Sequence, residues 1–385
     1  MVKVLYITNS GNWGGASIAL KNIWTQLDNL ITISVLFPNI GEFSKYAENK
    51  GYQCYYYKYG LDVWPKFRSL KEKFLFFPSV IYKCITQYVA YRKICNIVKC
   101  LKPDIIHTNV GPLQFVAKAA KKYKIPHVWH LREYQIKDFK MFPFPSLKSF
   151  KKQLEGSFKI AITNDIARYF ELGADYKIVY DGVVSKNNST PNISFTDSDY
   201  LLFVGRLEDA KGWKESLNAF ISIADDYPNI KLLFAGSYIE EDVLYITKTL
   251  PINVRNRIFF LGYRSDCHEL MRKARALLVS SFSEGFGFIT TEAMYNGCIV
   301  IGRNSGGTKE QFDNGLKVYK KEIGLRFNSQ QELENQIKYV LSKPKSFFKE
   351  MIINAQNITL KLYSVEKNAN DILNIYKTKY IKCND

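Results

Sequence analysis

The chain has 385 residues, long enough for two domains with sizeable cores, and its hydrophobic content of 46% is usual for a soluble globular protein. No apolar run approaches the roughly 18 residues that a membrane-spanning helix needs, and the seven scattered cysteines favour reduced thiols over a disulfide framework or a zinc site. Lys and Arg exceed Asp and Glu by 18, and residues 1–184 hold most of this excess, with 27 basic and 13 acidic residues.

The N-terminal residues 1–8 predict a first strand rather than a signal peptide. A glycine-containing loop with Gly11, Gly14 and Gly15 follows, and then a helix that ends near Leu27. Glycines at such a junction let the backbone approach a ligand closely. Their spacing does not match the Gly-x-Gly-x-x-Gly pattern of a Rossmann dinucleotide site, which disfavours NAD as the ligand.

Two stretches, Trp64–Lys102 and Lys137–Lys152, interleave lysines and arginines with aromatic residues. This composition is typical of a contact with an anionic membrane surface, where aromatic rings enter the interface and cations meet lipid phosphates. For the first stretch, a helix pair with core aromatics and solvated lysines explains the pattern equally well. Binding of single-stranded nucleic acid has a similar composition but lacks an accompanying motif here, so no nucleic-acid partner is expected.

Polar residues end two predicted strands of the N-terminal half, one over residues 104–109 and one over 126–131. Ligands of open α/β sheets bind outside the carboxyl ends of the strands, which makes His130 a candidate ligand contact. Arg132 and Glu133 follow directly and are expected to support His130 or to face the acceptor.

A polar linker contains the triplet Asp197-Ser198-Asp199, which invites a metal-site interpretation. The triplet immediately precedes the predicted strand 200–204 and so lies at the amino end of that strand, away from the ligand edge. No metal site is therefore expected. The same strand runs into Gly205-Arg206-Leu207, and Lys211-Gly212 follows.

The most informative stretch is residues 280–297, which lies between a buried strand at 276–279 and a helix stop at Gly297. A glycine-rich loop that opens into a helix offers backbone amides and a positive dipole end, which suit a phosphate. Glu284 lies in the loop and Glu292 about one turn into the helix. A carboxylate accepts hydrogen bonds from sugar hydroxyls, so one glutamate for each sugar of a nucleotide sugar fits this pattern.

Glu284-Gly285-Phe286-Gly287-Phe288, then Glu292-Ala293-Met294, and then a Ser305–Glu310 segment together closely resemble the signature of the family 4 retaining glycosyltransferases. In that family two glutamates are separated by seven residues, as Glu284 and Glu292 are. The resemblance extends to the Gly-Arg-Leu and Lys-Gly pair, to the Gly14-Gly15 loop and to the His130 segment. It is most specific between residues 200 and 310.

The resemblance implies an α/β protein of the GT-B type, with two doubly wound Rossmann-like domains facing across a cleft. The implied boundaries are an N-terminal acceptor-side domain at 1–184, a linker at 185–199 and a nucleotide-sugar domain at 200–363. A C-terminal helix within 364–385 is expected to pack back on the first domain.

The resemblance also implies metal-independent, retaining transfer of a sugar from a nucleotide diphosphate sugar to a glycan or lipid-linked acceptor, without a cofactor. In this scheme Arg206 and Lys211 stabilise the leaving diphosphate, Glu284 and His130 position the donor sugar, and Glu292 holds the ribose. The remaining expected donor contacts are Gly14, Gly15, Tyr263, Arg264, Gly285, Phe286, Gly287 and Phe288. The expected location is the cytoplasm, with the inner face of the membrane as an option.

Two alternatives remain open at this stage. A nucleotide-sugar epimerase of the same fold would use similar donor contacts but needs acid–base carboxylates in the N-terminal domain, where the sequence offers no convincing candidates. A catalytically silent scaffold subunit would bind nucleotide without turnover, and the presence of Arg206, Lys211, Glu284 and Glu292 together argues against it.

Overall fold

The computed structural model describes residues 1–65 and 75–381, which divide into two compact units. One unit combines residues 1–182 with the C-terminal segment from Val365, and the other spans Val183–Ser364. The first segment of the N-terminal unit ends at Gly182, whereas the expected boundary is residue 184. The expected linker, residues 185–199, lies within the second unit. No helix in the described part of the chain is both long and apolar enough to cross a membrane.

The N-terminal unit is built on a seven-stranded parallel sheet with the order β3-β2-β1-β4-β5-β6-β7. The central strands are largely buried, and helices pack on both faces of the sheet, as is usual for a parallel sheet. The strands are β1 Val2–Ile7, β2 Ile31–Phe37, β3 Gln53–Tyr56, β4 Ile105–Thr108, β5 His127–Leu131, β6 Phe158–Ala161 and β7 Tyr176–Ile178.

The described helices of this unit follow the predicted alternation with strands. β6 ends at Ala161, and the Thr163 hydroxyl accepts a hydrogen bond from the Ile166 amide, which caps the next helix. The helices are Gly15–Leu27, Glu42–Asn49, Phe76–Leu101, Gln114–Tyr123, Ile136–Phe139, Leu147–Leu154, Asn164–Tyr169 and Val365–Ile381.

The C-terminal helix Val365–Ile381 belongs to the N-terminal unit, where it packs against the first helix, Gly15–Leu27. A Cβ atom at Gly182 would lie 2.5 Å from the Cα atom of Val365, so glycine is needed where the helix begins. The Asn368 side chain donates to the carbonyl of Tyr180 at 2.6 Å. The buried ring of Tyr376 joins the unit's core.

The C-terminal unit contains a six-stranded parallel sheet with the order β10-β9-β8-β11-β12-β13. Its strands are β8 Tyr200–Val204, β9 Lys231–Ala235, β10 Ile258–Phe260, β11 Ala276–Val279, β12 Val300–Arg303 and β13 Leu325–Phe327. Its helices are Trp213–Ile223, Glu240–Lys248, Ile252–Arg255, Cys267–Lys273, Phe288–Tyr295, Gly306–Tyr319, Gln330–Leu341 and Lys349–Leu362, with 3₁₀ turns at Asp209–Lys211 and Lys345–Phe348.

The order of the C-terminal sheet reverses between β8 and β11, which makes the carboxyl ends of these two strands a topological switch point. The loops that follow the two strands touch. The Phe282 amide donates to the Ala210 carbonyl at 3.1 Å, and the hydroxyls of Ser216 and Ser280 lie 2.7 Å apart. Gly212 has a φ of +69°, and a Cβ atom there would lie 2.2 Å from the carbonyl oxygen of Ser280.

Replacing Gly212 by Ala tests this close approach. A side chain in the left-handed region costs about 1–2 kcal/mol, and the overlap with Ser280 should raise the loss to about 2–4 kcal/mol. Gly262→Ala is the matched control, because Gly262 has a φ of +66° in the same unit but no atom within 4 Å of the added Cβ. Thermal unfolding followed by circular dichroism should show the larger drop in Tm for Gly212→Ala, and equal drops would contradict the steric account.

Candidate functional site

An ion pair joins the two loops at the switch point of the C-terminal sheet. Lys211 Nζ donates to Glu284 Oε1 at 2.6 Å, and both side chains are only partly exposed. Lys211 ends the 3₁₀ turn after β8, whereas Glu284 lies in the loop after β11. The structure thus brings together two of the residues that the sequence assigns to catalysis.

The glycine-rich loop that contains Glu284 is held by the helix Gly306–Tyr319. The Gly307 amide donates to the Glu284 carbonyl at 2.8 Å, and the Gln311 side-chain amide donates to the carbonyls of Phe286 and Gly287 at 2.7 and 3.1 Å. A Cβ atom at Gly307 would lie 2.0 Å from the Phe286 oxygen. The Ser305–Glu310 segment therefore fixes the loop's backbone, and Gln311 is a contributor that the sequence analysis did not identify.

The loop passes directly into the helix Phe288–Tyr295, with Gly287 as the residue before its first turn. Gly287 has a φ of +88°, a conformation that favours glycine. The first backbone amides of a helix have no acceptor within the helix, so they are available to bind an anion. The ring of Phe286 is buried against Phe288 and Tyr363, so the predicted donor contact of Phe286 would involve its backbone.

Glu292 lies on the same helix, one turn beyond Phe288, and it is partly buried. Burial raises the pKa of its carboxyl to about 7. Among the described residues no cation forms an ion pair with it, in contrast to Glu284. A carboxyl whose pKa is raised by burial and that lacks a charged partner is a candidate functional residue.

Arg206 follows β8 and is 61% exposed, with its guanidinium 3.0 Å from Glu208. Within the described residues no hydrogen bond or ion pair joins it to Lys211 or Glu284. The structure therefore places Arg206 at the same sheet edge without fixing it in the pair.

Tyr263 and Arg264 lie in the loop after β10. The Tyr263 side chain is 86% exposed, and Arg264 forms a bidentate interaction with Asp266 at 2.8 and 2.6 Å. The Gly236 amide, at the end of β9, donates to the Gly262 carbonyl at 2.8 Å. A Cβ atom at Gly236 would lie 1.9 Å from the Gly205 oxygen, so the ends of β8, β9 and β10 approach each other through glycine backbone.

In the N-terminal unit, Gly14 and Gly15 open the first helix, and a Cβ atom at either position would meet nothing within 4 Å. Gly11 differs, because a Cβ atom there would lie 2.2 Å from the Asn39 carbonyl oxygen. Gly11 is therefore required for packing, whereas Gly14 and Gly15 border open space. Asn109 at the end of β4 donates to the Ala16 carbonyl at 3.0 Å and steadies this helix start.

His130 lies near the carboxyl end of β5 and is completely buried. Its Nδ1 atom is 3.2 Å from His107 Nε2 and 3.3 Å from Arg132 Nη2. Its Nε2 atom has no hydrogen-bond partner among the described residues. Burial first, and then the Arg132 charge, lower the pKa of both histidines well below the usual value, so both rings are neutral at physiological pH.

Arg132 is buried in the same cluster and has three different acceptors. It forms a salt bridge with the buried Asp181, and its Nε atom donates to Asn109 Oδ1 at 3.0 Å. The Asp181 carboxylate balances the buried guanidinium, which explains why a charge is tolerated there.

Glu133 is the next residue along the chain, and it is a partly buried carboxyl. Burial raises its pKa to about 7, and the nearby Asp138 adds to this shift. The Gln135 side chain donates to Glu133 Oε2 at 3.1 Å. The sequence suggests a supporting role for Glu133 beside His130. The raised pKa of Glu133 also makes its carboxyl available for proton transfer.

The two basic aromatic stretches meet in the structure. The Trp64 amide donates to the Phe142 carbonyl at 2.8 Å, and its ring lies 4.7 Å from that of Phe144. Residues 66–74, which include several of the basic and aromatic residues noted in the sequence, lie outside the described residues. Among the described residues of the first stretch, Phe76–Leu101 forms one continuous helix.

The first half of this helix exposes apolar side chains, so the interpretation of its aromatics as core is wrong there. Only the second half supplies buried residues, from Ala90 to Val98. The exposed side chains are Phe77, Ile81, Tyr82, Ile85 and Tyr88.

The Asp197-Ser198-Asp199 triplet lies at the amino end of β8. Asp197 accepts hydrogen bonds from the Arg275 guanidinium and the Lys345 amide, and Asp199 accepts one from Lys231 Nζ at 2.6 Å. Both carboxylates thus take part in local contacts. That the protein needs no metal stays a prediction.

Comparison with known proteins shows what the C-terminal unit is similar to. Residues 185–358 match the model of the glycosyl transferases group 1 family. A relative in Campylobacter jejuni, the GalNAc-alpha-(1->4)-GalNAc-alpha-(1->3)-diNAcBac-PP-undecaprenol alpha-1,4-N-acetyl-D-galactosaminyltransferase, is 24% identical over 92% of this chain and 93% of its own. An uncharacterized glycosyltransferase of Methanocaldococcus jannaschii is 29% identical over 52% of this chain. The match spans about half of that relative's length, 53%.

Solved structures share the fold over the whole chain. Anabaena Alr3699/HepE in complex with UDP has a TM-score of 0.75 at 20% identity, covering 98% of this chain and 100% of its own. A glycosyltransferase from Rickettsia africae has the same TM-score at 16% identity, covering 98% of each chain. The predicted pair of doubly wound α/β domains is confirmed. The chain has the GT-B fold, and its residues 185–358 resemble the glycosyl transferases group 1 family.

Proposed function

We propose that the protein transfers a sugar from a nucleotide diphosphate sugar to a glycan or lipid-linked acceptor, with retention of configuration and without a metal. The observation that supports this most directly is the Lys211–Glu284 pair at the switch point, beside the glycine-rich start of the helix Phe288–Tyr295. A cation, a carboxylate and helix amides in one loop cluster match the phosphates and hydroxyls of such a donor.

Breaking the bond between sugar and phosphate moves negative charge onto the leaving diphosphate. Lys211 and Arg206 are the two cationic residues after β8 that would stabilise this charge. Glu284 would accept a hydrogen bond from the sugar while its Lys211 partner faces the phosphate. In this scheme a phosphate oxygen of the donor takes the acceptor's proton, so no protein base is required.

Glu292 is proposed to hold the ribose, and His130 to contact the transferred sugar as the family resemblance implies. A ribose diol offers two hydroxyl donors, which an ionised carboxylate accepts better than a protonated carboxyl does. Because the crystallised Anabaena protein is in complex with UDP in one structure and with UDP-glucose in another, UDP-sugars are the first donors to test.

The acceptor is proposed to be glycan-like and presented at an anionic membrane surface from the cytoplasmic side. The name of the Campylobacter jejuni relative describes an undecaprenol-linked acceptor. The exposed apolar residues of the helix Phe76–Leu101, in the strongly basic N-terminal half, suit a lipid interface.

A nucleotide-sugar epimerase is a second candidate, and Glu133 is the observation that favours it. A carboxyl with a pKa of about 7 in the N-terminal unit is the kind of acid–base group that an epimerase needs. Release of an epimerised sugar in the absence of any acceptor, lost in Glu133→Gln, would replace the transferase proposal.

The leaving-group role of the two cations can be tested by turnover. A thermal-shift screen of UDP-glucose, UDP-GlcNAc, GDP-mannose and dTDP-glucose without metal first identifies the donor, because a ligand that binds only the folded state raises Tm. Arg206→Ala and Lys211→Ala should then lower the rate of donor hydrolysis about 100-fold or more, with a smaller loss of donor affinity. No shift with any nucleotide sugar would favour the scaffold alternative.

Lys214→Ala is the matched control for these variants. Lys214 lies one turn from Lys211, is about half exposed and pairs only with Asp209 at 2.9 Å among the described residues. The substitution removes the same charge from the same region and should leave turnover unchanged. Full turnover in Lys211→Ala would refute its role at the leaving group.

The role of Glu292 can be tested by pH. Its raised pKa means that the carboxyl is largely protonated below pH 7 in the free protein and ionised above it. If the ribose binds the ionised form, affinity for the selected nucleotide sugar should rise about three- to tenfold between pH 6 and pH 8. A nucleotide sugar is used rather than a free diphosphate, because a terminal phosphate titrates near pH 6.

Calorimetric titration across this pH range should show the rise in the wild type and in Glu334→Gln, a surface control on the helix Gln330–Leu341. Glu292→Gln should bind with an affinity that does not vary with pH. Retention of the full pH dependence in Glu292→Gln would assign the titration to another group.

Membrane contact can be tested by co-sedimentation with vesicles that contain phosphatidylglycerol. Replacing Phe77, Tyr82 and Tyr88 together by Ser should lower the bound fraction severalfold, because three apolar side chains leave the interface. The control replaces Tyr339 and Phe347, which are exposed in the C-terminal unit, and should bind as the wild type does. Equal binding by all three proteins would contradict a lipid contact at this helix.

A further inference from the structure

The buried cluster around His130 extends as a chain of hydrogen bonds through the N-terminal unit. Beyond the His130–His107 contact, His107 Nδ1 lies 2.6 Å from the Tyr376 hydroxyl. The Tyr376 hydroxyl in turn lies 2.8 Å from that of Tyr6. All four side chains are completely buried, so their polar atoms depend on protein partners rather than on bulk water.

Arg132 fixes the direction of every proton in this chain. A guanidinium can only donate, so the contact between Arg132 Nη2 and His130 Nδ1 requires an unprotonated Nδ1. The proton of neutral His130 must then be on Nε2. The Nε2 atom of His107 faces the same His130 Nδ1 and must carry a proton too, because otherwise two lone pairs would meet at 3.2 Å.

The proton on His107 Nε2 determines the direction of the hydrogen bonds that reach Tyr376 on the C-terminal helix. With its proton on Nε2, neutral His107 has a lone pair on Nδ1, which accepts the hydrogen bond from Tyr376. The Tyr376 oxygen is then free to accept from the Tyr6 hydroxyl. The chain runs in one direction and ends at the Nε2–H group of His130, which is the one atom of the series that lacks a partner among the described residues.

We infer that Arg132, His107 and Tyr376 are positioning residues that hold His130 as a neutral imidazole with its proton on Nε2, and that this N–H donates a hydrogen bond to an oxygen of the bound sugar donor. The second half of this inference rests on the proposed function. His130 thus cannot act as a general base at Nε2. The C-terminal helix contributes to the site through Tyr376, although it lies more than 200 residues along the chain from His130.

The proton positions can be read by two-bond ¹H–¹⁵N NMR on protein labelled at histidine. The chain has four histidines, and substitution of His127 and His268, which lie outside the chain of bonds, leaves two sets of signals to assign. Both remaining rings should be neutral and protonated at Nε2. A His130 that is protonated at Nδ1 overturns the inference, whatever the protein's activity.

Tyr376→Phe and Tyr6→Phe form a matched pair, since each removes one buried hydroxyl. Tyr376→Phe should shift the His107 Nδ1 resonance and lower kcat/KM about fivefold, the effect of one lost neutral hydrogen bond. Tyr6→Phe leaves the bond from Tyr376 to His107 in place and should change neither. An unchanged His107 resonance in Tyr376→Phe would refute the role of Tyr376.

The contact between His130 Nε2 and the bound sugar donor is tested separately. The nucleotide sugar selected by thermal shift should move the His130 Nε2 resonance when it is added to the labelled protein. Stabilisation without any change at that nitrogen overturns the contact with the sugar while leaving the proposed function intact. If no nucleotide sugar stabilises the protein, the proposed function fails, and the proton assignment is still decided by the spectrum of the free protein.

Discussion

The ion pair between Lys211 and Glu284 depends on a constraint that lies in the backbone. Its two residues are 73 positions apart and come from loops after neighbouring strands of one parallel sheet. The loops can approach this closely only because Gly212 has no side chain to collide with Ser280. A larger residue would separate the loops and the charges with them. Strand order thus creates the meeting point, and a glycine makes it close enough for chemistry.

The two glutamates of the signature show how the environment distinguishes identical side chains. Glu284 is compensated by a lysine, whereas Glu292 has no ion-pair partner among the described residues, and burial raises its pKa to about 7. A compensated carboxylate keeps its charge and its place in the absence of ligand. An uncompensated one gains most when hydroxyl donors arrive, because they replace the solvent that burial removed. Such a pair suits a ligand with two sugars in different settings.

Much of the C-terminal site could be predicted from the sequence because its residues are local. Arg206 and Lys211 follow one strand, and Glu284 and Glu292 follow another, so their spacing is visible in the chain itself. Gln311 was missed, since it acts on the loop through backbone carbonyls and has no residue-type signal of its own. The extent of the helix Phe76–Leu101 was also missed, because exposed and buried aromatics are indistinguishable by composition.

The N-terminal cluster marks the limit of local reasoning more sharply. His130 could be singled out from its place at the end of a predicted strand, but the other members of its buried cluster, His107, Asp181 and Tyr376, come from distant parts of the chain. Only the fold brings them together. Among these buried groups the hydrogen-bonding role of Arg132 is unambiguous, because a guanidinium donates in every contact it makes. A single buried arginine therefore determines which nitrogen of each neutral histidine carries the proton. The carboxylate of Asp181 stabilises the buried guanidinium by supplying the opposite charge.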